Sequence, residues 1–313
     1  MIKKLFFNKI IDDNEIQKKE GEYFDKSHYK FIINEDTDGY TNDNKLLFKF
    51  RKNKINKKLT NIAIDSFKEA AMKMHDNRGA AAGILEKKKL PNYVGKLVNP
   101  GKFRTNFISK YSKKKSKQLI SNKAPSNIAG FFDKPDRNIS SNGIPCRLTA
   151  FTKYNPEKWQ NAIPFLKRSD DLFKKLVPKR HKIQWEQAQN TNFVIENTAY
   201  STITINYNWR TALHKDAGDL QEGFGNLIVC EDGNFDGGYL GFPQYSVCIN
   251  VKNTDFLAMN VHEWHCNTEI IPKSENYMRL SIVCYLRENM IKCKGLNVTN
   301  YRENKYISKK KNK

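Results

Sequence analysis

Short runs of alternating apolar and polar residues fill the chain from Phe193 onward. At 200–206 Thr alternates with Ile, a pattern typical of a strand with one buried face. Further apolar runs follow, and the polar segment 230–234 predicts a hairpin turn. The runs lie at 225–229, 239–242, 245–251, 256–261, 266–271 and 280–286. Many short strands separated by turn signals predict a mostly β fold, either a sandwich or a jelly roll.

Helical periodicity marks two stretches ahead of these strands. At 61–75 and at 158–177 the apolar residues fall largely on one face of a helix. The predicted faces consist of Ile62, Phe67, Ala70, Ala71 and Met74 in the first stretch, and of Trp159, Ile163, Leu166, Leu172, Phe173 and Leu176 in the second. Pro164 is expected early in the second helix, and Pro178 is expected to follow its end.

The remaining segments are more polar. Residues 46–50 predict a strand, and the rest of the first 60 residues is expected to be loop or a weakly ordered arm. Residues 126–157 are expected to be rich in loops, with their best strand at 147–152. We therefore predict three parts: a basic, partly helical N-terminal region (1–125), a β-rich domain with flanking helices (126–295) and a basic, disordered C-terminal tail (296–313).

Several classes of protein do not fit the composition. No long uncharged apolar run is present, so a transmembrane helix is not expected, and the first residues do not resemble a signal peptide. The six cysteines include no Cys-X-X-Cys pair, which excludes a zinc ribbon by its spacing. Most cysteines lie in apolar runs, where reduced, buried thiols are expected. We therefore expect an intracellular, reducing compartment.

A His-X-Asp pair and a distant histidine provide the donor set of an iron site. His214 and Asp216 are two residues apart, and His265 follows much later. Residues at this spacing share a face of a strand. Two imidazoles and one carboxylate form a facial triad, which leaves three positions of Fe(II) open for a co-substrate and O2. A His-X-Asp pair alone is a weak signal, but the ordered set with a Gly-Gly segment and a distal histidine predicts a metal site.

Two histidines compete for the distal position. His262 and His265 have opposite parity on a regular strand, so only one of them is expected to face the metal. His265 opens an apolar run that follows a turn, whereas His262 fits the turn itself. We therefore predict His265 as the ligand and His262 as a surface or supporting imidazole.

Arg279 lies on the apolar strand 280–286 or just before it, and shares a face with Ser281. A guanidinium on a buried strand needs an anion. A dicarboxylate co-substrate would meet that need, because one of its carboxylates can form a bidentate ion pair with the guanidinium. A structural salt bridge is the alternative, and the neighbouring triad favours the co-substrate.

The formal net charge is +22 on 313 residues, which suggests a polyanionic partner. Lys outnumbers Arg 44 to 11, as the codon bias of an AT-rich genome would also produce. Clustering argues for a ligand, because residues 102–123 contain no acidic residue and place Phe103, Phe107 and Tyr111 between the charges. We call the basic residues of this segment the basic stripe and predict that they contact phosphates. They are Lys102, Arg104, Lys110, Lys113, Lys114, Lys115, Lys117 and Lys123.

Four segments together resemble one known family. They are the runs at 211–219, 235–243, 264–268 and 279–283. Over about residues 126–290 the chain looks like the TET/JBP family of Fe(II)- and 2-oxoglutarate-dependent dioxygenases, which oxidise the 5-methyl group of pyrimidines in nucleic acid. The resemblance implies a double-stranded β-helix, or jelly-roll, dioxygenase core with a basic N-terminal extension. It also implies that His214, Asp216 and His265 bind iron, that Arg279 binds 2-oxoglutarate and that Ser281 assists on the same strand.

The resemblance further implies a DNA partner, O2 as co-substrate and a target base flipped out of the duplex. The chain lacks the cysteine-rich and CXXC zinc regions of animal members and looks like compact microbial, fungal or viral members. A nucleus or a viral factory is therefore possible, and no obligate protein partner is evident. Of the two methylpyrimidines, 5-methylcytosine is favoured over thymine. Asn206, Trp209 and Arg210 could approach the base, although ordinary sheet packing is the favoured interpretation for these three.

Two rival functions stay open at this point. One is an enzyme of the same fold that acts on RNA, protein or a small molecule. The other is a nucleic-acid-binding module whose oxygenase core is inactive. The complete ligand set argues against the second, and the basic stripe argues against a small-molecule substrate.

Overall fold

A computed structural model describes residues 2–134 and 146–295, so the predicted tail at 296–313 lies outside the described residues. The strands in these ranges, in chain order, are β1 (Lys3–Phe7), β2 (Phe31–Ile33), β3 (Thr37–Thr41), β4 (Leu46–Arg51), β5 (Met74–His75), β6 (Val94–Leu97), β7 (Arg104–Thr105), β8 (Phe107–Ser109), β9 (Ile120–Ser121), β10 (Ala124–Phe132), β11 (Arg147–Leu148), β12 (Thr202–Tyr207), β13 (Gly225–Asp232), β14 (Phe235–Gly237), β15 (Leu240–Phe242), β16 (Val247–Ile249), β17 (Phe256–Met259), β18 (Cys266–Asn267), β19 (Ile270–Pro272) and β20 (Met278–Tyr285). The α-helices are α1 (Asp13–Lys18), α2 (Lys57–Ala71), α3 (Ala150–Tyr154), α4 (Pro156–Leu176) and α5 (Pro178–Ala188).

Two sheets form the jelly roll. The larger has the strand order β1-β3-β4-β17-β13-β20-β12-β10-β11, with β5 beside β10. The smaller has the order β18-β15-β16-β2. Side chains from both sheets meet in one apolar cluster, which includes Phe48, Leu227, Phe242 and Val247. The predicted fold, a mostly β jelly-roll core with flanking helices, is confirmed.

The large sheet is buried on both faces. On β13, Leu227 and Val229 point into the cluster between the sheets, whereas Ile228 and Cys230 pack against the helices. The helices on this second face are α2 and α4, which contribute Phe67 and Phe165 respectively to the packing. Side chains alternate along a strand, so every second residue of β12 and of β20 likewise faces the interior of the jelly roll.

Both predicted helices are present, with shifted bounds. The first begins at Lys57 and ends at Ala71, so Met74 lies in β5 instead. The second begins at Pro156, which makes Pro164 an interior residue rather than an early one. Pro178 does follow its end, but it also starts α5 directly.

The N-terminal residues are more ordered than predicted. Strands β1, β3 and β4 belong to the large sheet, and β2 pairs in parallel with β16 of the small sheet. The expectation of a loop or weakly ordered arm over most of residues 1–60 is therefore wrong, although the strand at 46–50 is confirmed. The division at residue 125/126 stays a prediction, and strands from both sides of it share the large sheet.

Two local expectations fail because of capping and pairing. The strand expected at 147–152 ends at Leu148, since the Thr149 side chain accepts a hydrogen bond from the Thr152 amide and caps α3. The hairpin expected at 230–234 is absent, because β13 pairs with β17 and β20 whereas β14 pairs with β19.

The cysteines depart from the expectation at one pair. Cys146 and Cys293 form a disulfide, with their Cα atoms 6.2 Å apart, so the expected reduced state is wrong for these two. They are 147 residues apart in sequence and meet in a small apolar cluster beside α5. Cys230, Cys248, Cys266 and Cys284 are free and buried, as expected. Among the described residues, no helix is both long enough and apolar enough to cross a membrane.

Candidate functional site

The predicted iron ligands lie together between the two sheets. The backbones of His214 and His265 form a two-residue antiparallel bridge, with reciprocal N–O distances of 3.0 Å. The Asp216 amide donates to the Val261 carbonyl at 3.1 Å, which places its side chain beside both imidazoles. One donor atom from each of the three residues lies within 4.8 Å of the others. The structure thus brings the distant histidine to the His-X-Asp pair.

Hydrogen bonds to the backbone orient both imidazoles. Nδ1 of His214 donates to the Ala212 carbonyl at 2.8 Å, and Nδ1 of His265 donates to the Glu263 carbonyl at 2.9 Å. Because a carbonyl oxygen can only accept a hydrogen bond, these contacts fix the proton on Nδ1. The Nε2 atom of each ring is then the one whose lone pair can bind a metal. The two Nε2 atoms lie 3.5 and 3.8 Å from the Asp216 carboxylate.

The electrostatics differ among the three groups. Burial alone would lower the pKa of His214, but the hydrogen bond and the charge of Asp216 outweigh it and raise that pKa, so metal binding at His214 would displace a proton. Burial lowers the pKa of His265 to about 4, helped by the neighbouring His214, so this imidazole is neutral near pH 7. Burial alone would raise the pKa of Asp216. The contacts of this carboxylate with His214 and His265 outweigh burial and hold its pKa at about 2, so it is ionised near pH 7. Neutral imidazoles and an ionised carboxylate are the donors that Fe(II) takes in a facial triad, so the residues present fit this metal.

His262 stands outside the cluster. Its Nε2 donates to the Leu220 carbonyl at 3.0 Å, and its amide bonds to the Asn260 side chain. The ring therefore braces the chain next to the site, in agreement with the supporting role predicted from its parity. Whether iron binds the cluster without it stays a prediction.

Arg279 is a buried cation without a carboxylate partner. Its side chain is 2% exposed, and Nη2 donates to the Gly238 carbonyl at 2.8 Å. Among the described residues it forms no ion pair within 4 Å, although Glu231 lies opposite it on β13. Burial lowers the pKa of the guanidinium to about 10, so it remains charged. A buried charge of this kind requires an anion, and the distal carboxylate of 2-oxoglutarate fits that need.

The Gly-Gly segment makes room for this arginine. Gly238 has φ +68°, a backbone conformation that favours glycine. A Cβ atom built there would lie 2.8 Å from Nε of Arg279. The segment between the His-X-Asp pair and the distal histidine therefore lets the backbone approach the guanidinium closely enough to accept its hydrogen bond.

Ser281 and Asn206 continue the row of polar groups along the sheet. Ser281 pairs with Asn206 across β20 and β12, and the Asn206 amide donates to its hydroxyl at 3.3 Å. Ser126 bonds to the other end of the Asn206 amide. Ser281, Asn206, Arg279 and the three predicted ligands border one cavity of about 500 Å³, which we call the catalytic cavity. Its size is typical of a small-molecule or cofactor site.

Arg78, Asp219 and Arg287 are among the further charged residues that border this cavity and were not predicted. Arg78 places a guanidinium there whose Nε has no hydrogen-bond partner among the described residues. Arg287 donates to the Ala217 carbonyl and pairs with Asp133 and Asp219. Asp219 is buried, and its Oδ2 has no partner among the described residues. Burial and the nearby Asp216 raise the pKa of Asp219 well above its usual range, although Arg287 opposes this.

The sequence contained only weak signals for these three. Asp219 lies three residues after Asp216, where a turn residue on the surface is the simpler interpretation. Arg78 precedes a run of alanines bounded by Gly79 and Gly83, a pattern that favours neither a packing role nor a ligand role. The Ala81 carbonyl accepts a hydrogen bond from the Ala212 amide, so this run is anchored directly beside His214.

The basic stripe lies on a small appendage. Strands β6 to β9 form two two-stranded sheets around the apolar residues Leu85, Phe107 and Ile120. We call this unit the satellite. Every basic residue of the stripe is exposed. Phe107 is buried, Tyr111 is 73% exposed, and Phe103 borders the catalytic cavity. The satellite therefore holds the positive charges next to the mouth of the predicted site.

Comparison with known proteins agrees with this site. Residues 127–288 match the Tet_JBP family, described as the oxygenase domain of the 2OGFeDO superfamily. Thymine dioxygenase JBP1-B of Trypanosoma cruzi (strain CL Brener) is 32% identical over 219 residues, which cover 68% of this chain and 25% of that protein. Thymine dioxygenase JBP1 of Crithidia fasciculata is 30% identical over 231 residues, or 72% of this chain and 27% of that protein.

A solved structure has the same fold. NgTET1 in complex with 5mC DNA superimposes with a TM-score of 0.52 at 12% identity, covering 96% of this chain and 90% of that one. The chain spans about a quarter of the length of the curated relatives that it matches.

Proposed function

Because the chain belongs to the TET/JBP family of the 2OGFeDO superfamily, we propose that it oxidises the 5-methyl group of thymine in DNA. Fe(II) and 2-oxoglutarate are the cofactors of this superfamily and of the oxygenase domain in this chain. The observation that carries the proposal is the catalytic cavity. It joins a complete His-Asp-His donor set to a buried, unpaired arginine, beside an exposed basic surface.

The residues of the cavity divide the work. His214, Asp216 and His265 would hold Fe(II) through two Nε2 atoms and one carboxylate. Arg279 would pair with the distal carboxylate of 2-oxoglutarate, and Ser281 would add a hydroxyl on the same strand. When bound, iron and 2-oxoglutarate supply the activation of O2 that hydroxylates an unactivated methyl group. The residues of the chain would orient 2-oxoglutarate and the target base and would keep water from the reacting methyl group.

The cavity also contains a group that could bind the base. Asp219 has a buried carboxylate oxygen without a partner, three residues from the Asp216 ligand. A buried oxygen of this kind is costly unless a ligand satisfies it. When ionised it could accept from N3–H of thymine or from the exocyclic amine of cytosine, and when protonated it could donate to the thymine O4. The target base must leave the duplex to reach it.

The first prediction concerns substrate class. We expect duplexes that contain thymine as the only 5-methylpyrimidine to yield 5-hydroxymethyluracil in the presence of Fe(II), ascorbate and 2-oxoglutarate. Nucleoside mass spectrometry would detect it. The thymine dioxygenase relatives support this choice over the 5-methylcytosine favoured by the sequence. 5-Methylcytosine remains the second candidate, and a duplex with 5-methylcytosine on a strand with uracil in place of thymine tests it.

The matched control is a duplex that contains uracil and unmodified cytosine. Product from 5-methylcytosine alone would reverse the assignment within the same family. Absence of product from every DNA, while 2-oxoglutarate is still consumed, would move the substrate to RNA, protein or a small molecule. A DNA substrate also implies a DNA-containing compartment, such as a nucleus or a viral factory.

The second prediction concerns the basic stripe. We expect the affinity for DNA to fall steeply with salt, because each neutralised phosphate releases counterions. Replacing Lys113, Lys114, Lys115 and Lys117 with glutamine should reduce the slope of log K against log salt by about 3–4, at roughly 0.9 for each phosphate contact. Fluorescence anisotropy over a range of salt concentrations measures this slope.

The control for the stripe is a variant with the same change in charge elsewhere. Lys174, Lys175, Lys179 and Lys182 lie exposed at the end of α4 and on α5. Glutamine at these four positions should alter the slope far less. Equal effects of the two sets would assign the stripe to general surface charge rather than to phosphate contact.

A further inference from the structure

A second cavity of about 610 Å³ lies beside the catalytic cavity, where the satellite meets the core. Its border includes the rings of Tyr23, Tyr93 and Trp209, the amide of Asn122, and the basic residues Lys123 and Arg210. Trp209 borders the catalytic cavity as well. The two cavities are therefore neighbours that share Trp209 as part of their borders.

The chemistry of this cavity suits a flat, uncharged, partly polar group. Tyr23 and Tyr93 are 43% and 39% exposed. Arg210 lies over the Tyr23 ring, so Tyr93 is the ring to which we assign the stacking contact with a ligand. The Asn122 amide nitrogen donates to the carbonyls of Ala82, Gly83 and Ile84, at 2.9, 3.2 and 3.0 Å. Its oxygen has no hydrogen-bond partner among the described residues. The carboxylates of Asp76 and Glu86 also border the cavity, which disfavours a phosphate inside it.

The cations lie where a nucleic acid backbone could pass. Arg210 is anchored, since it pairs with Asp25 at 2.6 Å, donates to the Asn267 carbonyl and lies 4.8 Å over the Tyr23 ring. Arg210 therefore restrains the Tyr23 ring at the border of the second cavity. Lys123 belongs to the basic stripe and is exposed. Aromatic rings beside a basic surface are the usual means of binding unstacked bases.

We propose that the second cavity binds the nucleobase adjacent to the target in the same DNA strand. The proposal rests on the proposed function, because the target base must occupy the catalytic cavity. A base joined to the target by one phosphodiester must stay close to it when the target leaves the duplex, whereas the base of the opposite strand has no such link to the target. The chain then extracts two successive nucleotides, with Trp209 between or beside their bases and their phosphates toward the basic stripe.

The test is whether the effect of Tyr93 depends on the presence of the neighbouring base. Three oligonucleotides carry the same target, with an intact sequence, an abasic residue 5′ to the target or an abasic residue 3′ to it. On the intact substrate, Tyr93→Ala should lower kcat/KM about ten-fold or more, the size of a lost base–aromatic stack. On one of the two abasic substrates the loss should shrink to less than two-fold.

The controls separate this effect from folding and from general DNA contact. Tyr111→Ala removes a more exposed tyrosine of the same satellite that borders neither cavity, and it should act equally on all three substrates. Tyr93 also packs on Phe107, with ring centroids 5.3 Å apart. If Tyr93→Ala unfolds in a thermal melt, Tyr93→Leu, which keeps an apolar contact, is measured in the same way.

Equal losses on all three substrates, or no loss on the intact one, would overturn the inference. Product from the unaltered chain on the intact oligonucleotide supports the proposed function whatever the Tyr93 variant does. Failure of the second-cavity proposal is therefore distinguishable from failure of the proposed function. Absence of any product from DNA would remove both.

Discussion

His265→Ala is expected to lower 2-oxoglutarate turnover about a thousand-fold. The imidazole supplies one of three donor atoms within 4.8 Å of one another, and a bound metal contributes several kcal/mol to the reaction, where each 1.36 kcal/mol is a factor of ten. His214→Ala and Asp216→Ala should have effects of the same size. Succinate formation measures turnover, and calorimetric titration with Mn(II), which does not react with O2 here, measures metal binding independently.

His262→Ala is the matched control. It removes a histidine three residues from His265 whose Nε2 is already bonded to the Leu220 carbonyl. We expect it to keep most of the turnover and all of the metal stoichiometry, with a modest loss of thermal stability from one hydrogen bond. An inactive His262 variant that no longer binds Mn(II), beside an active His265 variant, would reverse the assignment of the distal ligand.

The sequence predicted those strands whose pattern follows from local burial. Strand β13 is apolar from Leu227 to Cys230 because one face packs on helices and the other on the small sheet, so this part of the run is continuous. Strand β20 is predictable for the same reason, and its alternation places Arg279 and Ser281 on the inner face. The candidate site could be found because its residues form an ordered set that few unrelated chains would contain.

What could not be predicted depends on contacts between distant segments. Strand β1 has two exposed lysines followed by Leu5, Phe6 and Phe7, so it shows no alternating pattern, and it is held by parallel pairing with β3. The strand expected at 147–152 is short because a single side chain, that of Thr149, caps the helix that follows it. Nothing in the spacing of Cys146 and Cys293 indicated that they would meet.

The charged groups of the cavity show the same limit. Arg78 comes from the N-terminal region and reaches the site only because the Ala81 carbonyl binds the Ala212 amide. The second cavity is likewise formed where the satellite, inserted ahead of β10, meets the segment around Trp209. Local periodicity carries no information on such contacts between distant segments, which arise from tertiary packing.

Arg279→Lys is expected to weaken 2-oxoglutarate binding about ten- to a hundred-fold. A hydrogen bond to a charged group contributes about 1.5–3 kcal/mol, and lysine replaces a planar fork with a point charge on a flexible stem. The guanidinium is 2% exposed and has no carboxylate partner within 4 Å among the described residues. Calorimetric titration of the Mn(II)-loaded protein measures the affinity.

Two comparisons make this prediction specific. A 2-oxo monocarboxylic acid lacks the distal carboxylate, so it should bind the Arg279→Lys variant and the unaltered chain equally weakly. Arg51→Lys changes another buried arginine of the large sheet, one that already pairs with Asp38 at 2.6 Å. It should lower stability and leave 2-oxoglutarate affinity unchanged. If Arg279→Lys instead behaves like Arg51→Lys, then Arg279 is structural, and Arg78, the other cavity guanidinium with an unpartnered Nε, becomes the first candidate for the anchor of the dicarboxylate.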